Sequence, residues 1–152
     1  MAYWLMKSEP DTFSIEDLKA RPKSTEHWDG VRNYQARNMM RDQMETGDKI
    51  FFYHSSCPQP GIVGIAEVVR EAYPDVSAQN PESRYYDPKA SPEDPRWVMV
   101  DVKFVRKLTR LITLSEIKSE PALQRMALVK KGSRLSIMAV SKEEWRQILV
   151  ME

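Results

Sequence analysis

The sequence predicts an α+β domain built on a small mixed sheet that is curved or barrel-like. Two apolar runs, 49–54 and 62–69, flank a tip that contains proline and glycine, a pattern typical of a hairpin. Residues 97–105 alternate between two sets of side chains, one of them apolar throughout, which indicates a half-buried strand. Strands with local connections, and no regular strand–helix–strand alternation, favour an α+β architecture.

The other elements follow from short local signals. Residues 3–7 form an aromatic and apolar run that predicts the first strand. Capping-box sequences that begin at Ser14, Thr113 and Ser141 each predict the start of a helix, because the paired side chains satisfy backbone N–H groups. Asn33 can cap a further helix.

A long proline-rich loop is predicted in the middle of the chain. Residues 70–96 contain five prolines and read as irregular structure, a kind of segment that often packs over a functional site. Pro121 suits the first turn of a short helix, and residues 135–140 predict a strand before the last helix. At 152 residues the chain is expected to form one domain over 1–152.

Composition excludes several classes of protein. No run of 18 apolar residues occurs, so no membrane partner is expected. The N-terminus carries Glu9 and no apolar stretch behind a basic start, which is unlike a signal peptide. Cys57 is the single cysteine, which excludes an internal disulfide framework and a multi-cysteine zinc site. We therefore expect a reducing, cytoplasmic location, no metal and no cofactor.

Charge is distributed unevenly along the chain. The formal net charge is only +1, but residues 103–134 hold nine basic and two acidic side chains. Residues 67–95 hold three basic and seven acidic side chains. A local basic cluster can attract nucleic acid even when the whole chain is nearly neutral, although a solvated face explains such a cluster equally well.

Motifs of common enzyme classes are absent. The sequence lacks GxGxxG and GxxxxGK[ST] loops as well as HExxH and GxSxG. Cys57 and His54 lie on the tip of the predicted hairpin, where neighbours seldom come within hydrogen-bond reach, which argues against a Cys–His nucleophile. The sequence therefore gives little support to nucleophilic catalysis.

The segment 27–34 holds the clearest candidates for ligand binding. Trp28 lies among polar residues and glycine, in what reads as a loop outside any helical or strand periodicity. It can fold over the core, or it can be a platform on which a nucleic-acid base stacks, worth roughly 1–3 kcal/mol per base. Arg32 and Asn33 can bond base edges or phosphate, although Asn33 can equally be a helix cap alone.

Two further clusters place polar groups at strand ends. Tyr53, His54 and Ser55 end an aromatic strand that either lines a cavity with one face or is buried on both faces. Arg134 and Ser136 share one face of a later strand, where they suit an anion or a base edge, or simply face solvent.

Long motifs over almost the whole chain resemble the EVE domain, the family that includes the thymocyte nuclear proteins and bacterial single-domain forms. The resemblance rests on Trp97 and on the segments 3–10, 28–38, 47–48, 52–55, 61–65, 86–89, 128–130 and 133–136. We expect the chain to lack an N-terminal extension, as in the bacterial form that it resembles. EVE domains have a PUA-like fold, a small mixed β-barrel with flanking short helices, and the resemblance implies this fold here.

The resemblance also implies a function. EVE domains are regarded as readers of modified bases and are similar to YTH domains, which hold N6-methyladenine in an aromatic cage. Other members are linked to 5-methylcytosine and 5-hydroxymethylcytosine. Trp28 is similar in position to the cage tryptophan, and Lys7 with Ser8 is similar to the pair that ends the first strand.

We therefore expect a monomeric, non-catalytic module that takes a modified base of nucleic acid out of its stack and holds it in an aromatic pocket. The expected base-binding residues are Lys7, Ser8, Glu9, Trp28, Arg32, Asn33, Tyr53, His54, Ser55 and Ser136. The expected phosphate-binding residues are Lys130, Lys131 and Arg134. Glu9 either accepts from an exocyclic amine or pairs with an arginine.

Two other functions stay open. Some PUA-like folds of the ASCH group resemble enzymes, and Lys7, Glu9 and His54 can supply a general acid and base if they converge in one pocket. The chain can also be an unspecific RNA-binding accessory domain, whose affinity depends on salt but not on base modification. The sequence leaves open whether the partner is DNA or RNA, and which modified base it carries.

Overall fold

A mixed six-stranded sheet organises the fold in the computed structural model, which describes residues 1–131 and 134–152. The strands are β1 (Tyr3–Ser8), β2 (Thr25–Trp28), β3 (Lys49–His54), β4 (Gly61–Pro74), β5 (Val98–Thr113) and β6 (Ile137–Val140). The α-helices are α1 (Ile15–Ala20), α2 (Tyr34–Asp42), α3 (Leu114–Ser119) and α4 (Lys142–Met151). Short 3₁₀ turns complete the connections, among them Val76–Gln79, Pro121–Leu123 and Ala127–Val129.

The strand order is β2-β5-β4-β3-β1-β6. β1 runs parallel to β3, and the other neighbours are antiparallel. The parallel pairing sets Ser8 opposite His54, so that the ends of β1 and β3 lie side by side. The pairing of β4 with β5 is interrupted by several register shifts, and bulges of this kind bend a sheet and increase its twist.

The sheet curls so that its two edges approach each other. Helix α2 contacts β4 and β5 on one side and the edge strand β6 on the other. In an open flat sheet β5 and β6 would be about 19 Å apart, because neighbouring strands are spaced by about 4.8 Å. The curvature agrees with the barrel-like sheet that the sequence predicts.

Both faces of the central strands are buried. Trp4, Met6 and Phe52 face one core, together with α1 and α2, while Leu5 and Phe51 face a second core that includes α3 and α4. Side chains alternate between faces along a strand, so a strand buried on both sides is apolar throughout. The sequence left open whether the aromatic strand β3 lines a cavity with one face or is buried on both faces. The structure shows that β3 is buried on both faces.

Local signals in the sequence locate most helix starts correctly. Ser14, Thr113 and Ser141 each form a capping box with the acidic residue three positions later. The side chain of Asn33 accepts the Ala36 N–H at 3.0 Å and caps α2. Pro121 opens a 3₁₀ turn instead of an α-helix.

Strand extent differs from the sequence-based expectation in three main places. β5 continues to Thr113, eight residues past the end predicted for it at Val105. β2 occupies the segment that was expected to be a loop, and Trp28 is its last residue. The residues of β2 are mostly polar because it is an edge strand held by main-chain pairing with β5, which needs no apolar pattern. β4 continues to Pro74, so the irregular loop begins about five residues later than expected, and the end of β4 is largely exposed.

A buried carboxylate at the start of β3 ties the N-terminus to the sheet. Asp48 accepts hydrogen bonds from the main-chain N–H groups of Ala2 and Glu45 and from the Trp4 indole at 2.9 Å. Asp48 is 2% exposed, so water cannot replace its carboxylate as the hydrogen-bond acceptor for these donors.

Asp48→Ala is expected to lower the free energy of unfolding by about 3 kcal/mol, because the buried indole N–H of Trp4 loses its charged acceptor. Asp48→Asn keeps one oxygen acceptor and is expected to lose less. Urea unfolding at neutral pH measures both, and Asp42→Ala on the exposed side of α2 is the matched control. Equal stability of the Asp48→Ala and Asp42→Ala proteins would contradict this role of Asp48.

Candidate functional site

A cavity of about 610 Å³ lies where the two edges of the curled sheet meet. The end of β1, the end of β2 with the turn that follows it, and the segment before β6 form its walls. Most of the expected base-binding residues line it: Lys7, Ser8, Glu9, Trp28, Arg32, Asn33 and Ser136. The fold thus brings together residues that are up to 129 positions apart in the sequence, from Lys7 to Ser136.

Trp28 packs in the core and also lines the cavity. It is only 9% exposed and packs edge-on against Phe52, with ring centroids 5.5 Å apart, and against Phe13 at 6.4 Å. Its remaining surface lines the cavity, together with Phe13 and Tyr85. The tryptophan is a core residue that also supplies part of an aromatic wall, so its position is fixed before any ligand arrives.

The end of β1 forms the opposite wall, and main-chain bonds hold it in place. The Lys7 N–H donates to the carbonyl of Ser136 at 2.8 Å. The Ser8 hydroxyl donates to the carbonyl of Phe13 at 2.5 Å, so its oxygen keeps lone pairs for a donor on a ligand. The carbonyl of Ser8 accepts the Ser55 N–H at 3.0 Å.

A buried carboxylate anchors the turn after Trp28 to the long loop. Asp75 is fully buried and accepts from the Gly30 N–H at 2.9 Å and from the guanidinium of Arg32 at 3.1 Å. The other oxygen of Asp75 accepts from the Ser77 N–H at 2.9 Å. The guanidinium of Arg32 also donates to the carbonyl of Tyr85 at 2.7 Å. Arg32 therefore has structural partners in this state, which leave its guanidinium little capacity to bond a phosphate.

Gly30 is required for the packing of Tyr85 over the turn. Its φ is +77°, in the left-handed region, and a Cβ at this position would come within 2.6 Å of the Tyr85 ring. A larger residue would therefore displace Tyr85 from the cavity wall as well as strain the main chain. Tyr85 and Asp75 were not among the expected site residues, although they lie in the proline-rich loop that was expected to pack over a site.

The charges that line the cavity are mixed. Lys7, Arg21 and Arg84 are opposed by Glu9, Glu26 and Asp29. Burial raises the pKa of Asp29, and the nearby carboxylate of Asp75 raises it further. Burial lowers the pKa of Lys7. Groups of either sign are thus partly desolvated here, which strengthens any hydrogen bond they make to a ligand.

Asn33 is the helix cap that the sequence allowed, and it also lines the cavity. Its side-chain oxygen is bonded to the Ala36 N–H, so the group left for a ligand is the amide NH₂ donor.

Glu9 lines the cavity as well, and among the described residues it makes no ion pair with an arginine. That observation leaves its carboxylate as an acceptor within the site.

Three of the expected base-binding residues lie outside this cavity. Tyr53 lines a second cleft, described below, and neither His54 nor Ser55 borders the first cavity. Nε2 of His54 accepts the Ile15 N–H at 3.1 Å, and burial lowers the pKa of His54. His54 is therefore a neutral partner of the α1 terminus. It lies on the same face of β3 as Phe52, with ring centroids 5.6 Å apart, and Phe52 belongs to the core that includes α1.

The expected phosphate-binding residues are also separated from the first cavity. Lys130 and Lys131 line the second cleft, while Arg134 is exposed and borders neither site. Gly132 and Ser133, which belong to the same sequence motif, lie outside the described residues. Within residues 1–131 and 134–152, no three His, Cys, Asp or Glu side chains cluster as a metal site requires, and no helix is long and apolar enough to cross a membrane.

Asp75→Ala is expected to lower the free energy of unfolding by about 3 kcal/mol, since it strips the buried acceptor from Arg32 and from the turn that holds Gly30. Arg32→Met removes the charge and keeps most of the volume. The double variant is expected to lose less than the sum of the two single losses, because they share one interaction. Urea unfolding of the four proteins measures this coupling, and strict additivity would contradict the anchor.

Comparison with known proteins gives one consistent family. The EVE domain model matches residues 2–151. Thymocyte nuclear protein 1 of Homo sapiens is 46% identical over 168 residues, which cover 99% of this chain and 74% of that protein. The same protein of Mus musculus is 48% identical over 167 residues, with 99% of this chain and 73% of that protein covered.

Solved structures agree with the sequence matches. A crystal structure of human THYN1 protein in complex with 5-methylcytosine containing DNA is 45% identical, with a TM-score of 0.95, and covers 99% of this chain and 97% of that chain. A crystal structure from Pseudomonas putida is 53% identical, with a TM-score of 0.95 and 99% of each chain covered. The expected α+β, PUA-like fold with flanking short helices is thereby confirmed.

Proposed function

Because the chain belongs to the EVE domain family, we propose that it binds nucleic acid and holds a modified base in the cavity beside Trp28 without catalysing a reaction. The observation that carries the proposal is the cavity itself, in which the aromatic residues Phe13, Trp28 and Tyr85 share a wall with the polar groups of Ser8 and Asn33. Its volume of about 610 Å³ falls in the range of small-molecule sites, roughly 300–1,000 Å³.

The energetics favour a base that has left its stack. Extruding a base costs a few kcal/mol, and stacking on an aromatic side chain returns roughly 1–3 kcal/mol. Trp28 is held by Phe52 and Phe13 in the unliganded fold, so the platform loses little conformational entropy on binding. A preformed aromatic wall of this kind offsets much of the extrusion cost.

Cytosine-type bases are the first candidates for the ligand. The human relative whose structure contains 5-methylcytosine DNA is 45% identical over nearly the whole chain. A cytosine presents an exocyclic amine donor and ring acceptors, and the carboxylates of Asp29 and Glu9 are acceptors while the Asn33 amide is a donor. We propose 5-methylcytosine or 5-hydroxymethylcytosine as the preferred base and N6-methyladenine as its competitor.

The placement of His54 argues against the enzymatic alternative. Lys7 and Glu9 line the cavity, but His54 does not, and its Nε2 is already bonded to the Ile15 N–H. A general acid and base must reach the same substrate atom. The three residues proposed for that role therefore do not form one catalytic group. We also propose a monomeric state and a cytoplasmic location, and the single cysteine fits a reducing compartment.

A competition binding assay at fixed salt tests the proposal. Oligonucleotides with plain cytosine, 5-methylcytosine, 5-hydroxymethylcytosine, adenine or N6-methyladenine compete for the purified chain, as single and double strands. We expect a preference of tenfold or more for one cytosine modification, about 1.4 kcal/mol. Binding that is salt-sensitive but indifferent to modification would instead favour an unspecific accessory domain. If no oligonucleotide binds, the result contradicts the proposal and favours the enzymatic alternative.

Asn33→Ser separates base contact from folding. Serine also caps helices well, so α2 is expected to keep its stability, while the amide donor in the cavity is lost. We expect affinity for the preferred modified base to fall about tenfold, the effect of one buried hydrogen bond. Trp28→Ala is less informative, because removing a core tryptophan costs about 3–5 kcal/mol of stability.

The control for Asn33→Ser is Asp42→Asn, at the far end of the same helix. Thermal unfolding of both variants checks that the fold is retained. An Asn33→Ser protein that keeps full stability and full preference for the modified base would remove Asn33 from the proposed site.

A further inference from the structure

The cavity beside Trp28 is called the base cavity below. A second cleft, of about 550 Å³, shares Lys7 with it and is called the lysine cleft. All of its charged lining residues are lysines. The residues that the argument uses are Lys7, Lys118, Lys130, Lys131, Tyr53 and Gln124. No acidic side chain lines this cleft among the described residues, in contrast with the mixed charges of the base cavity.

Ion pairs neutralise one part of the basic segment 103–134 and leave the lysines of the cleft unpaired among the described residues. On β5, Arg106 pairs with Glu152 at 2.7 Å, Arg110 pairs with Glu116 at 2.9 Å, and Lys107 pairs with Glu16. None of the four lysines of the cleft pairs with an acidic side chain of residues 1–131 or 134–152. The cleft therefore gathers three of the nine basic residues of this segment, Lys118, Lys130 and Lys131, and Lys7 adds a fourth positive charge there.

Short elements hold the walls of the cleft in place. The Gln124 side chain donates to the carbonyls of Lys118 and Glu120 at 2.9 and 2.7 Å, which fixes the end of α3. Leu128, just before the lysine pair, is buried in the second core. Burial raises the pKa of Tyr53 to about 12, so its hydroxyl stays protonated at neutral pH. The cleft thus has an ordered floor beneath its cationic side chains.

Lys7 connects the two sites because it lines both of them. Its ammonium lies over the ring of Tyr53, 5.7 Å from the ring centroid, on the side of the lysine cleft. The half-buried ammonium is partly desolvated, a state that an anion in the cleft would stabilise. A ligand in the base cavity and an anion in the cleft would therefore be separated by a single side chain.

We infer that the lysine cleft binds the sugar–phosphate backbone of the same strand whose modified base occupies the cavity beside Trp28. This inference rests on the proposed function and assigns Lys118, Lys130 and Lys131 to backbone phosphates that flank the extruded base. Lysine ammonium groups bind phosphate as point charges and carry no base preference. The cleft supplies affinity and register, and the cavity supplies the choice of base.

The test is a triple variant, Lys118→Gln with Lys130→Gln and Lys131→Gln, in the full chain. Binding of single-stranded oligonucleotides with 5-methylcytosine or plain cytosine is measured at several salt concentrations. Each lost phosphate contact lowers the slope of log K against log[salt] by about 0.7, so we expect the slope to fall by about 2. Affinity at 0.1 M salt is expected to fall tenfold or more for both oligonucleotides, with their ratio unchanged.

The matched control neutralises three exposed lysines elsewhere: Lys89→Gln, Lys103→Gln and Lys142→Gln. It has the same net charge as the triple variant and is expected to keep nearly all of the affinity and slope of the parent. Thermal unfolding verifies that both proteins fold. If the two triple variants lose affinity equally, net charge explains the effect and the cleft assignment is overturned.

The other outcomes separate this inference from the proposed function. If the parent protein prefers 5-methylcytosine but the salt slope of the cleft variant is unchanged, the phosphate assignment of the cleft is overturned and the proposed function stands. A parent without base preference whose slope still falls in the cleft variant retains the cleft and overturns the base reader. Inorganic phosphate is the second probe. If the parent binds it and the cleft variant does not, while oligonucleotide binding is equal, the cleft holds a free anion and the inference fails.

Discussion

The buried carboxylate of Asp75 is the interaction on which the shape of the base cavity depends. It is fully buried and joins the turn after Trp28, through Gly30 and Arg32, to the long loop that carries Tyr85. A charge in this position is stable only while its partners stay in place, because an unpaired buried ion costs several kcal/mol. Two irregular segments are thereby held against each other. This carboxylate therefore holds the cavity wall formed by the turn after Trp28 in place.

The curvature of the sheet supplies the rest of the site. β1 ends beside β3 in parallel, and the edges β2 and β6 approach each other around α2. Lys7 and Ser8 at the end of β1, Trp28 at the end of β2 and Ser136 before β6 therefore meet in one place. A flat sheet with the same strands would have put these residues on opposite edges. The bulges in the long β4–β5 pair are the local cause of the bend.

The two clefts differ in a way that suits different parts of one ligand. The base cavity mixes acidic and basic groups with aromatic walls, a combination that suits the proposed recognition of a base edge. Among residues 1–131 and 134–152, lysine is the only charged residue type that lines the neighbouring cleft, which suits a repeated charge without sequence information. Because Lys7 borders both, the two contacts can act on a single strand.

The sequence by itself determined the family, the fold class and the helix caps, and it pointed to seven of the seventeen residues that line the cavity. The helix caps depend on local signals such as the Ser14 capping box, and the family depends on contiguous motifs such as the segment around Trp28. Only the tertiary structure decided that Trp28 ends an edge strand, that His54 turns to α1, and that Asp75 and Tyr85 complete the site. The physical reason is that edge pairing, strand direction and contacts across 43 to 53 positions leave no periodic trace in the sequence.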